Sequence, residues 1–274
     1  MTRRNRLDAE LVRRGLARSR EQASGLISQG RVRVAGRAGT MKPASQVDAC
    51  APITIDKPAG GAADYVSRGG RKLAGALAAF ASLTVAGRGC LDAGASTGGF
   101  TDALLRGGAA HVIAADVGYG QLAWRLRTDP RVTVLDRVNV RRLQPGQLGY
   151  PPDLVTADLS FISLTLVLPA LVGCAAPDAD FLLLVKPQFE AGKGKVGPGG
   201  VVRDLATREE AVLSVARCAQ RLGLGAKGVT ASPVPGPSGN VEYFLWLRPG
   251  APPLEATDVM RAIEEGPAGA GPDE

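Results

Sequence analysis

The sequence predicts an α/β protein with two domains, and three observations lead to this prediction. Apolar segments of strand length alternate with helical segments through most of the chain, which is typical of a mainly parallel sheet covered by helices. The last two apolar segments are separated by SPVPGPSGN, too short for a crossover helix, so we expect them to pair antiparallel. The first 61 residues carry the excess positive charge and predict a separate, small domain.

Composition places the chain among ordinary globular proteins. It has 274 residues, 45% of them hydrophobic and 22% charged, and no apolar run approaches the roughly 18 residues of a membrane span. The first residues contain no apolar core of the kind found in a secretory signal, so the sequence predicts a cytoplasmic protein. The cysteines lie far apart and form no CxxC pair, which predicts free thiols and no metal site: Cys50, Cys90, Cys174 and Cys218.

The first domain is predicted to be a small α+β unit. Its expected elements are two short helices and a two-stranded hairpin, at residues 6–16, 19–30, 31–34 and 52–56. Residues 1–61 contain 12 lysines and arginines against five acidic residues, while the rest of the chain contains 21 of each kind. This asymmetry indicates that the domain binds a polyanion.

One stretch of this domain resembles a known RNA-binding fold. SREQASGLISQGRVRVAG at 19–36, followed by KPASQV at 42–47, is similar to the αL-type domain shared by pseudouridine synthases and a small-subunit ribosomal protein. The resemblance implies that basic side chains of the second helix and the following strand contact RNA phosphates, which gives affinity with little base specificity. A solvated charged surface is the alternative interpretation. The candidate RNA-contacting residues are Arg3, Arg4, Arg18, Arg20, Arg31, Arg33 and Lys42.

The second domain is predicted to span residues 68–249, after the first domain at 1–61 and a linker at 62–67. Its expected strands lie at 89–93, 111–117, 132–135, 154–159, 181–186, 226–231 and 241–247, with helices at 120–128, 163–172 and 205–222 among them. A parallel sheet that ends in an antiparallel hairpin is the topology of Rossmann-like methyltransferases. Residues 250–274 are rich in proline, glycine and acidic residues, so we expect a mostly disordered tail with one or two helical turns at most.

A glycine-rich turn, GASTGG at 94–99, follows the first expected strand of this domain. A nucleoside triphosphate loop needs a Gly-Lys-Ser/Thr sequence, and no lysine occurs between Lys72 and Lys186. A dinucleotide-binding turn needs a second glycine two residues after the first, where this chain has Ser96. Asp92 also brings negative charge to the place where a pyrophosphate would bind. Both phosphate-bearing ligands are therefore disfavoured.

Acidic residues at the ends of neighbouring strands favour a cationic ligand without phosphate. S-adenosylmethionine carries an ammonium and a sulfonium group, which a carboxylate at the end of the first strand would stabilise. Asp116 ends the second strand and is placed to accept hydrogen bonds from ribose hydroxyls, and Asp136 ends the third strand, where it can bond the adenine amine. Turn glycines without a ligand are the alternative. The candidate cofactor residues are Asp92, Gly94, Ala95, Ser96, Thr97, Gly98, Gly99, Phe100, Asp116, Val117, Asp136 and Asp158.

Four further charged residues flank apolar segments of the second domain. Lys72 opens the helix before the first strand, Asp158 closes the fourth strand, Lys186 closes the fifth, and Glu242 lies at the start of the last. Open α/β sheets bind ligands at the carboxyl ends of their strands, which puts Asp158 and Lys186 at the same edge as the glycine turn. A charge beside a buried apolar run is costly unless paired, and Asp158 supplies a partner for Lys186. Each residue alone is equally consistent with an exposed strand end.

Together these residues resemble the active site of the FtsJ-type ribose methyltransferases. VSRGGRKL, DAGASTGGFTD, ADLSFISL, LVKPQFE and GNVEYF, joined to the first domain, are similar to the TlyA family over nearly the whole chain up to residue 248. The resemblance implies a catalytic tetrad of Lys72, Asp158, Lys186 and Glu242, with S-adenosylmethionine as cofactor and no metal. It also implies 2′-O-methylation of cytidine ribose in 16S or 23S ribosomal RNA, or both, within ribosomal subunits. The oligomeric state stays open, with a monomer favoured.

The chemistry of such a transfer suits these residue types. The 2′-oxygen, the methyl carbon and the sulfur must lie in line, and one proton must leave the hydroxyl. We expect Lys186 to contact the 2′-oxygen, either as a general base or as a cation that stabilises the developing alkoxide. Asp158 and Glu242 are expected to orient the two lysines. The residues alone do not distinguish the two roles of Lys186.

Two further segments of the second domain, the stretch before VSRGG and residues 190–204, have features of their own. The stretch before VSRGG is GGAADY, without the arginine and tryptophan described for the linker of the family, so we do not expect this linker to couple RNA binding to cofactor binding. Residues 190–204 are expected to form a mobile loop that closes on RNA, or an idle surface loop.

Two other functions are disfavoured. The full tetrad argues against a non-catalytic ribosome assembly factor. A membrane-active haemolysin, as some family members have been called, is opposed by an aromatic content of 4%.

Overall fold

The chain folds into two compact units, which separate between residues 64 and 65. A computed structural model describes residues 4–17, 19–28, 30–36, 41–56, 65–192, 194–236 and 238–266. Each unit contains hydrophobic clusters of its own, one in the first unit and two in the second among the described residues.

The first unit consists of short helices and strands around a small core. Its described elements are β1 (Arg4–Arg6), α1 (Leu7–Arg13), α2 (Arg20–Ser28), β2 (Val32–Val34), β3 (Gln46–Asp48) and β4 (Ile53–Ile55). β2 and β4 pair antiparallel, which confirms the expected pairing, and β1 pairs antiparallel with β3. The β1–β3 pair is absent from the sequence prediction, because strands of three residues are too short for a recognisable alternation. Leu7 and Leu11 of α1 share one buried cluster with Ile27 of α2 and Val32 of β2.

The second unit alternates strands with helices, as expected. Its described elements are α3 (Arg68–Ala79), β5 (Gly89–Ala93), α4 (Gly99–Arg106), β6 (His111–Asp116), α5 (Trp124–Arg127), β7 (Val132–Asp136), β8 (Leu154–Ala157), α6 (Leu168–Cys174), β9 (Asp180–Val185), α7 (Pro187–Glu190), α8 (Leu205–Arg221), β10 (Leu224–Ala231), β11 (Tyr243–Pro249) and α9 (Ala256–Glu265). The seven predicted strands of this unit correspond to β5 through β11, with ends that differ by two residues or fewer.

The described strands of this unit form one seven-stranded sheet in the order β10-β11-β9-β8-β5-β6-β7. β9, β8, β5, β6 and β7 run parallel, whereas β11 pairs antiparallel with both β9 and β10. This confirms the predicted parallel sheet with a final antiparallel hairpin. The strand order reverses between β5 and β8, and open α/β sheets bind ligands in the crevice at the carboxyl ends of such a pair.

Helices cover both faces of the sheet, and the side chains of β9 pack against the helices on each face. All six residues of β9 are buried. Phe181, Leu183 and Val185 belong to a cluster with residues of α6 and α8, whereas Leu182 and Leu184 belong to a cluster with residues of α3 and α4. Successive side chains of a strand point to opposite faces, so a strand with helices on both faces needs an uninterrupted apolar segment.

Two of the predicted helices are shorter in the structure. The pattern at 120–128 forms only α5, since Gly120 has a φ of +67° and the residues before Trp124 are irregular. At 163–172 a 3₁₀ turn over Leu164–Leu166 precedes α6, and Pro169 stands in the first turn of that helix. Proline suits the first turn of a helix because its missing N–H would have no partner there.

The expectation of a disordered tail over 250–274 is wrong for residues 256–265, which form α9. Val259, Ala262 and Ile263 of α9 are buried, and the helix packs against β10 and α8. The residues before α9 also pair with the sheet, since the amide of Ala226 donates to the carbonyl of Pro252 at 2.7 Å. The tail therefore covers an edge strand, which explains why an acidic, proline-rich segment is ordered. Residues 267–274 lie outside the described range of the chain.

The predicted linker at 62–67 overlaps the second unit, which begins at Tyr65. The amide of Val66 donates to Oδ2 of Asp102 in α4 at 2.9 Å. The guanidinium of Arg106 lies 4.6 Å from the centre of the Tyr65 ring. Residues 65 and 66 are therefore anchored to α4, and the boundary falls three residues earlier than the predicted domain start. Among the described helices, none is long and apolar enough to cross a membrane.

Candidate active site

The glycine-rich turn joins β5 to α4 and approaches the end of β8 closely. Gly94 has a φ of +86°, and a Cβ there would lie 2.9 Å from the carbonyl oxygen of Asp158. Gly98 has a φ of +95°, and a Cβ there would overlap the side chain of Leu126. Both positions therefore require glycine, because side chains rarely adopt this backbone conformation and no space remains for them. Packing of the protein alone accounts for these two glycines.

The carboxyl group of Asp92 is completely buried beneath this turn. Its Oδ2 accepts a hydrogen bond from Thr101 Oγ1 at 2.6 Å, and its Oδ1 accepts none from the described residues. The pKa of Asp92 is raised to about 7, mainly by burial; the nearby carboxylates of Asp158 and Asp116 contribute to this increase, and the hydrogen bond from Thr101 opposes it. A buried, unpartnered acceptor among carboxylates fits a positively charged ligand, which would relieve this unfavourable charge.

Asp116 and Asp136 are both engaged by the protein. Asp116 accepts the amide of Ser96 at 2.8 Å and the amide of Gly118 at 2.7 Å, one on each oxygen. It thereby ties the glycine turn to the end of β6, and each oxygen keeps a second lone pair for a ribose hydroxyl. Asp136 forms a 2.6 Å ion pair with Arg127, whose hydrogen bond lowers the pKa of the aspartate. The expected bond from Asp136 to an adenine amine would share the carboxylate with this arginine.

The remaining residues predicted to hold the cofactor differ in accessibility. Ser96, Thr97 and Val117 are exposed, and Ala95 is buried in the cluster that contains α4. Phe100 is also buried, with its ring 5.9 Å from the ring of Phe244. Phe100 therefore serves the core, where it fixes the start of α4 against β11.

The four predicted catalytic residues come together as two ion pairs at this edge of the sheet. Lys72 of α3 lies 2.5 Å from Oε2 of Glu242, and both side chains are buried. Glu242 precedes Tyr243, which pairs with Val185, so the antiparallel register puts Glu242 opposite Lys186. The sequence predicts Asp158 as the partner of Lys186 and expects Asp158 and Glu242 to orient the two lysines. In the structure Glu242 pairs with Lys72, which lies 170 positions away in the sequence.

The second pair stands at the ends of β8 and β9. Lys186 Nζ lies 2.7 Å from Oδ1 of Asp158 and donates to Ser160 Oγ at 3.0 Å. Lys186 is buried, whereas Asp158 keeps a partly exposed side chain. The partly exposed carboxylate and the lysine beside it leave room for a polar ligand to reach the ammonium. The arrangement is able to hold a hydroxyl group next to a cation in a largely dry site.

Sequence reasoning misses an exposed aromatic residue close to this pair. Phe161 is 91% exposed and has a φ of +64°, a conformation unusual for a bulky residue. Its ring lies 5.2 Å from that of Phe189, which in turn lies 6.0 Å from Lys186 Nζ. An apolar ring held in solvent by a strained backbone is typical of a functional site. No sequence pattern signals this residue, because its distinguishing feature is a backbone angle.

Buried polar side chains hold the loops that surround the tetrad. Glu190 accepts hydrogen bonds from Ser163 Oγ and from the amide of Leu164, and burial raises its pKa. It thus joins α7, which follows Lys186, to the segment that follows Asp158. Asn240 accepts from the amide of Val202 at 2.9 Å and donates to the carbonyl of Gly200 at 2.8 Å. The segment at 190–204, expected to be mobile or idle, is therefore tethered at its carboxyl-terminal end.

In the first unit, the predicted RNA-contacting residues fall into two groups. Arg4 and Arg20 line a groove beside α1, where Arg20 pairs with Asp8 at 3.1 Å. Arg31 directly precedes β2, and its Nε donates to the carbonyl of Asp56 at 3.0 Å. Arg33 lies in β2, where its Nε is 2.5 Å from the Asp56 carboxylate. Lys42 is exposed. Arg3 and Arg18 lie outside the described residues, as does Lys193 of the second unit. No described group of three or more His, Cys, Asp or Glu side chains is arranged to hold a metal ion.

Comparison with known families identifies both units. Residues 65–249 match the FtsJ-like methyltransferase family, and residues 5–38 match the S4 domain. The second unit is therefore a methyltransferase of the FtsJ-like class, which agrees with its sheet topology and with the predicted tetrad.

Relatives share this architecture over nearly the whole chain. The Mycobacterium tuberculosis protein named 16S/23S rRNA (cytidine-2′-O)-methyltransferase TlyA is 63% identical over 97% of this chain and 100% of its own. Hemolysin A of Brachyspira hyodysenteriae is 35% identical over 87% of this chain and 98% of its own. A solved structure of a candidate hemolysin from Streptococcus thermophilus has a TM-score of 0.74 at 36% identity, covering 97% of this chain and 98% of that one. The chain belongs to the TlyA family.

Proposed function

We propose that this protein transfers a methyl group from S-adenosylmethionine to the ribose 2′-oxygen of cytidines in 16S and 23S ribosomal RNA. The observation that carries the proposal is the pairing of Lys72 with Glu242 and of Lys186 with Asp158 beside the glycine-rich turn. A tetrad of this composition suits ribose methylation in the FtsJ-like class. The name of the Mycobacterium tuberculosis relative supports the choice of cytidine and of both RNAs.

The cofactor is proposed to occupy the crevice between the glycine turn and the ends of β5 and β6. When bound, S-adenosylmethionine supplies an electrophilic methyl group on a sulfonium centre. The buried Oδ1 of Asp92, which has no partner among the described residues, suits a neighbouring cation. Asp116 offers acceptors for ribose hydroxyls, and Val117 offers an exposed apolar surface for the adenine ring.

Lys186 is proposed to contact the 2′-hydroxyl of the target nucleotide. Its ammonium is held by Asp158 and Ser160, so its position is set before the substrate arrives. At that position the side chain has two alternative roles: as a neutral amine it accepts the hydroxyl proton, and as an ammonium it stabilises negative charge on the oxygen. Glu242 and Lys72 support the site from the side of β11. Phe161 is proposed to stack on the base of the target nucleotide, since an exposed ring beside Lys186 offers a flat apolar surface.

The first unit is proposed to hold ribosomal RNA through its basic side chains. Arg4, Arg20, Arg33 and Lys42 are exposed and suit contacts with phosphate oxygens, which add affinity without reading sequence. Ribosomal subunits are the proposed substrate, and a monomer is the proposed active form in the cytoplasm.

The test is the transfer of radiolabelled methyl groups from S-adenosylmethionine to ribosomal subunits that lack the modification. Lys186→Ala is expected to reduce transfer at least about 100-fold, as loss of one group that stabilises a developing oxyanion does. Lys227→Ala is the matched control, because Lys227 is an exposed lysine on β10, and its activity should equal that of the wild type. Full transfer by Lys186→Ala, or no transfer to any RNA by the wild type, would contradict the proposal.

A non-catalytic role in ribosome assembly makes a different prediction in the same experiment. The protein would then bind subunits tightly and transfer no label, in both the wild type and the Lys186 variant. Membrane action, suggested by the names of two relatives, is tested by leakage of a dye from liposomes. We expect no leakage at protein concentrations that saturate methyl transfer.

A further inference from the structure

A groove in the first unit is lined by more arginines than the sequence motif accounts for. It has a volume of about 640 Å³ and runs along β1 and α1 toward the start of α2. Its lining residues are Arg4, Asn5, Arg6, Ala9, Glu10, Arg13, Arg20, Gln46 and Ala49. Arg4 and Arg20 are candidates for RNA contact from the sequence, whereas Arg6 and Arg13 are not. The groove is therefore a basic surface whose function has to be derived from its geometry.

Glu10 lies at the base of this groove with no exposed surface. It binds Arg13 at two points, Nε at 2.8 Å and a terminal nitrogen at 2.5 Å. Arg14 Nε donates to it at 2.7 Å and Asn5 Nδ2 at 2.8 Å, so each carboxylate oxygen has two donors. These bonds hold the pKa of Glu10 well below its usual range. The carboxylate is thus a fixed, charged anchor for two arginines.

Asp8, at the start of α1, is a second buried anchor of the same kind. Arg6 binds both of its oxygens, with Nε at 3.1 Å from Oδ1 and a terminal nitrogen at 2.9 Å from Oδ2. Arg20 donates to Oδ2 at 3.1 Å, and the amide of Ala9 donates to Oδ1 at 2.8 Å. The bond from Arg6 keeps the pKa of Asp8 well below its usual value. Residues from β1, α1 and α2 are therefore joined through one carboxylate.

The stereochemistry of the guanidinium group decides which donors face the groove. Arg6 and Arg13 each use Nε and NH2 for the carboxylate, and no hydrogen bond among the described residues uses their NH1. A guanidinium has five N–H donors in a rigid plane, so a second edge remains for an oxyanion. Arg6, Arg13 and Arg20 are 46%, 59% and 60% exposed, which makes that edge accessible to solvent. Two carboxylates neutralise only a fraction of the charge of five arginines: Arg4, Arg6, Arg13, Arg14 and Arg20.

We propose that Asp8 and Glu10 are positioning residues, which hold Arg6, Arg13 and Arg20 with their free donors toward the groove where RNA phosphates bind. The proposal rests on the proposed function, in which the RNA is ribosomal. Arginine side chains are flexible, and ordering them before binding removes some of the entropic cost of association. Neutralising either acid should therefore weaken RNA binding even though it makes the unit more positive. Net charge alone predicts the opposite result.

The test measures binding of the full chain to ribosomal subunits that lack the modification, over a range of salt concentrations. Arg6→Ala and Arg20→Ala should each lower affinity and reduce the slope of log K against log salt by about one, as expected when a phosphate contact is lost. Asp8→Asn should weaken binding about threefold to tenfold, as loss of a preordered side chain does. Asp48→Asn is the matched control, because the Asp48 carboxylate accepts the amide of Cys50 and forms no ion pair with an arginine among the described residues, so the variant adds the same charge without releasing one. Its affinity should equal or exceed that of the wild type.

The outcomes separate the groove, the positioning residues and the proposed function. If Arg6→Ala and Arg20→Ala both keep the wild-type slope of log K against log salt, the groove does not bind RNA phosphates. If Asp8→Asn binds as tightly as Asp48→Asn, the positioning role is wrong. If Asp8→Asn lowers the thermal unfolding midpoint, the Arg13→Lys variant tests the positioning role instead, since it keeps the charge and loses the two-point bond to Glu10. Weaker RNA binding by Arg13→Lys supports the positioning role, and unchanged binding contradicts it. Failure of the wild type to bind any ribosomal subunit contradicts the proposed RNA substrate instead.

Discussion

Two ion pairs, one in each unit, have the same length and different surroundings. Arg33 and Asp56 in the first unit lie 2.5 Å apart, with 75% and 38% of their side chains exposed. Lys72 and Glu242 in the second unit also lie 2.5 Å apart, with 6% and 0% exposed. Water competes for the first pair and hardly reaches the second. Exposed cations exchange partners at little cost, which suits contact with a polyanion, whereas buried pairs keep their groups in place.

The same contrast runs through the charged groups of the two units. In the first unit the carboxylates Asp8 and Glu10 are buried and their arginines reach into solvent. In the tetrad the lysines themselves are buried, and only Asp158 keeps appreciable exposure. A surface that binds phosphates needs accessible donors, while a site that handles one hydroxyl group needs a lysine shielded from water. If burial distinguishes these two uses of charge, breaking an ion pair should change the free energy of unfolding by very different amounts in the two units.

The largest effect is expected from breaking the buried pair. Lys72→Met leaves Glu242 without a partner inside the protein, and removal of one member of a buried pair typically costs about 3–5 kcal/mol. We expect the free energy of unfolding, measured with urea, to fall by an amount in this range. The double variant Lys72→Met with Glu242→Gln should recover most of the loss, because no unpaired charge remains buried. A loss below about 1 kcal/mol in the single variant would show that solvent reaches the pair.

Sequence patterns locate the strands of the second unit well for a physical reason, and they also single out the four side chains that form its two ion pairs. The bounds of β5 coincide with the predicted 89–93, because Cys90 and Leu91 are buried and apolar and the turn glycine Gly94 directly follows the strand. Asp92 is the exception, a buried carboxyl within the strand. Three of the four catalytic candidates, Asp158, Lys186 and Glu242, stand directly beside a strand end, where a charge interrupts an apolar segment, whereas Lys72 lies in α3. Such interruptions are visible in the amino-acid sequence alone. Their partners are visible only where a motif or a shared sheet edge suggests them.

Other features depend on contacts between distant residues, so no local pattern predicts them. The helix α9 has its buried residues Val259, Ala262 and Ile263 at helical spacing, but its composition resembles that of a disordered tail. Packing against β10 and α8 supplies the stability that its own sequence lacks. The bond between Arg20 and Asp8 and the left-handed backbone of Phe161 are likewise set by tertiary structure. The last two are also the features closest to the proposed RNA contacts.

The protonation of Asp92 is expected to have an intermediate effect, on both the stability of the protein and its affinity for S-adenosylmethionine. Its pKa is raised from the usual value to about 7, so between pH 4 and pH 7 the folded state holds a proton that the unfolded state has lost. The free energy of unfolding without cofactor should therefore decrease as pH rises through this window and level off above pH 7. A cationic ligand prefers the ionised form, so affinity for S-adenosylmethionine should increase up to tenfold per pH unit until pH 7 is passed.

Calorimetric titrations with S-adenosylmethionine between pH 5.5 and 8.5 check the expected dependence. Asp92→Asn is the control, because it keeps the acceptor for Thr101 Oγ1 and removes the ionisable group. Its affinity should be lower above pH 7 and nearly independent of pH. An unchanged pH dependence in this variant would assign the titration to another group, and flat affinity in the wild type would contradict a cation beside Asp92.

The smallest effect on stability is expected where the exposed pair is broken. Arg33→Ala should change the free energy of unfolding by about 1 kcal/mol or less, because an exposed pair gains little over its separately hydrated groups. The same variant should weaken binding to ribosomal subunits and reduce the salt slope by about one, if Arg33 contacts a phosphate. Urea unfolding and filter binding on one preparation measure both quantities. A stability loss comparable to that of Lys72→Met would show that pair length, rather than burial, sets the energy of these interactions.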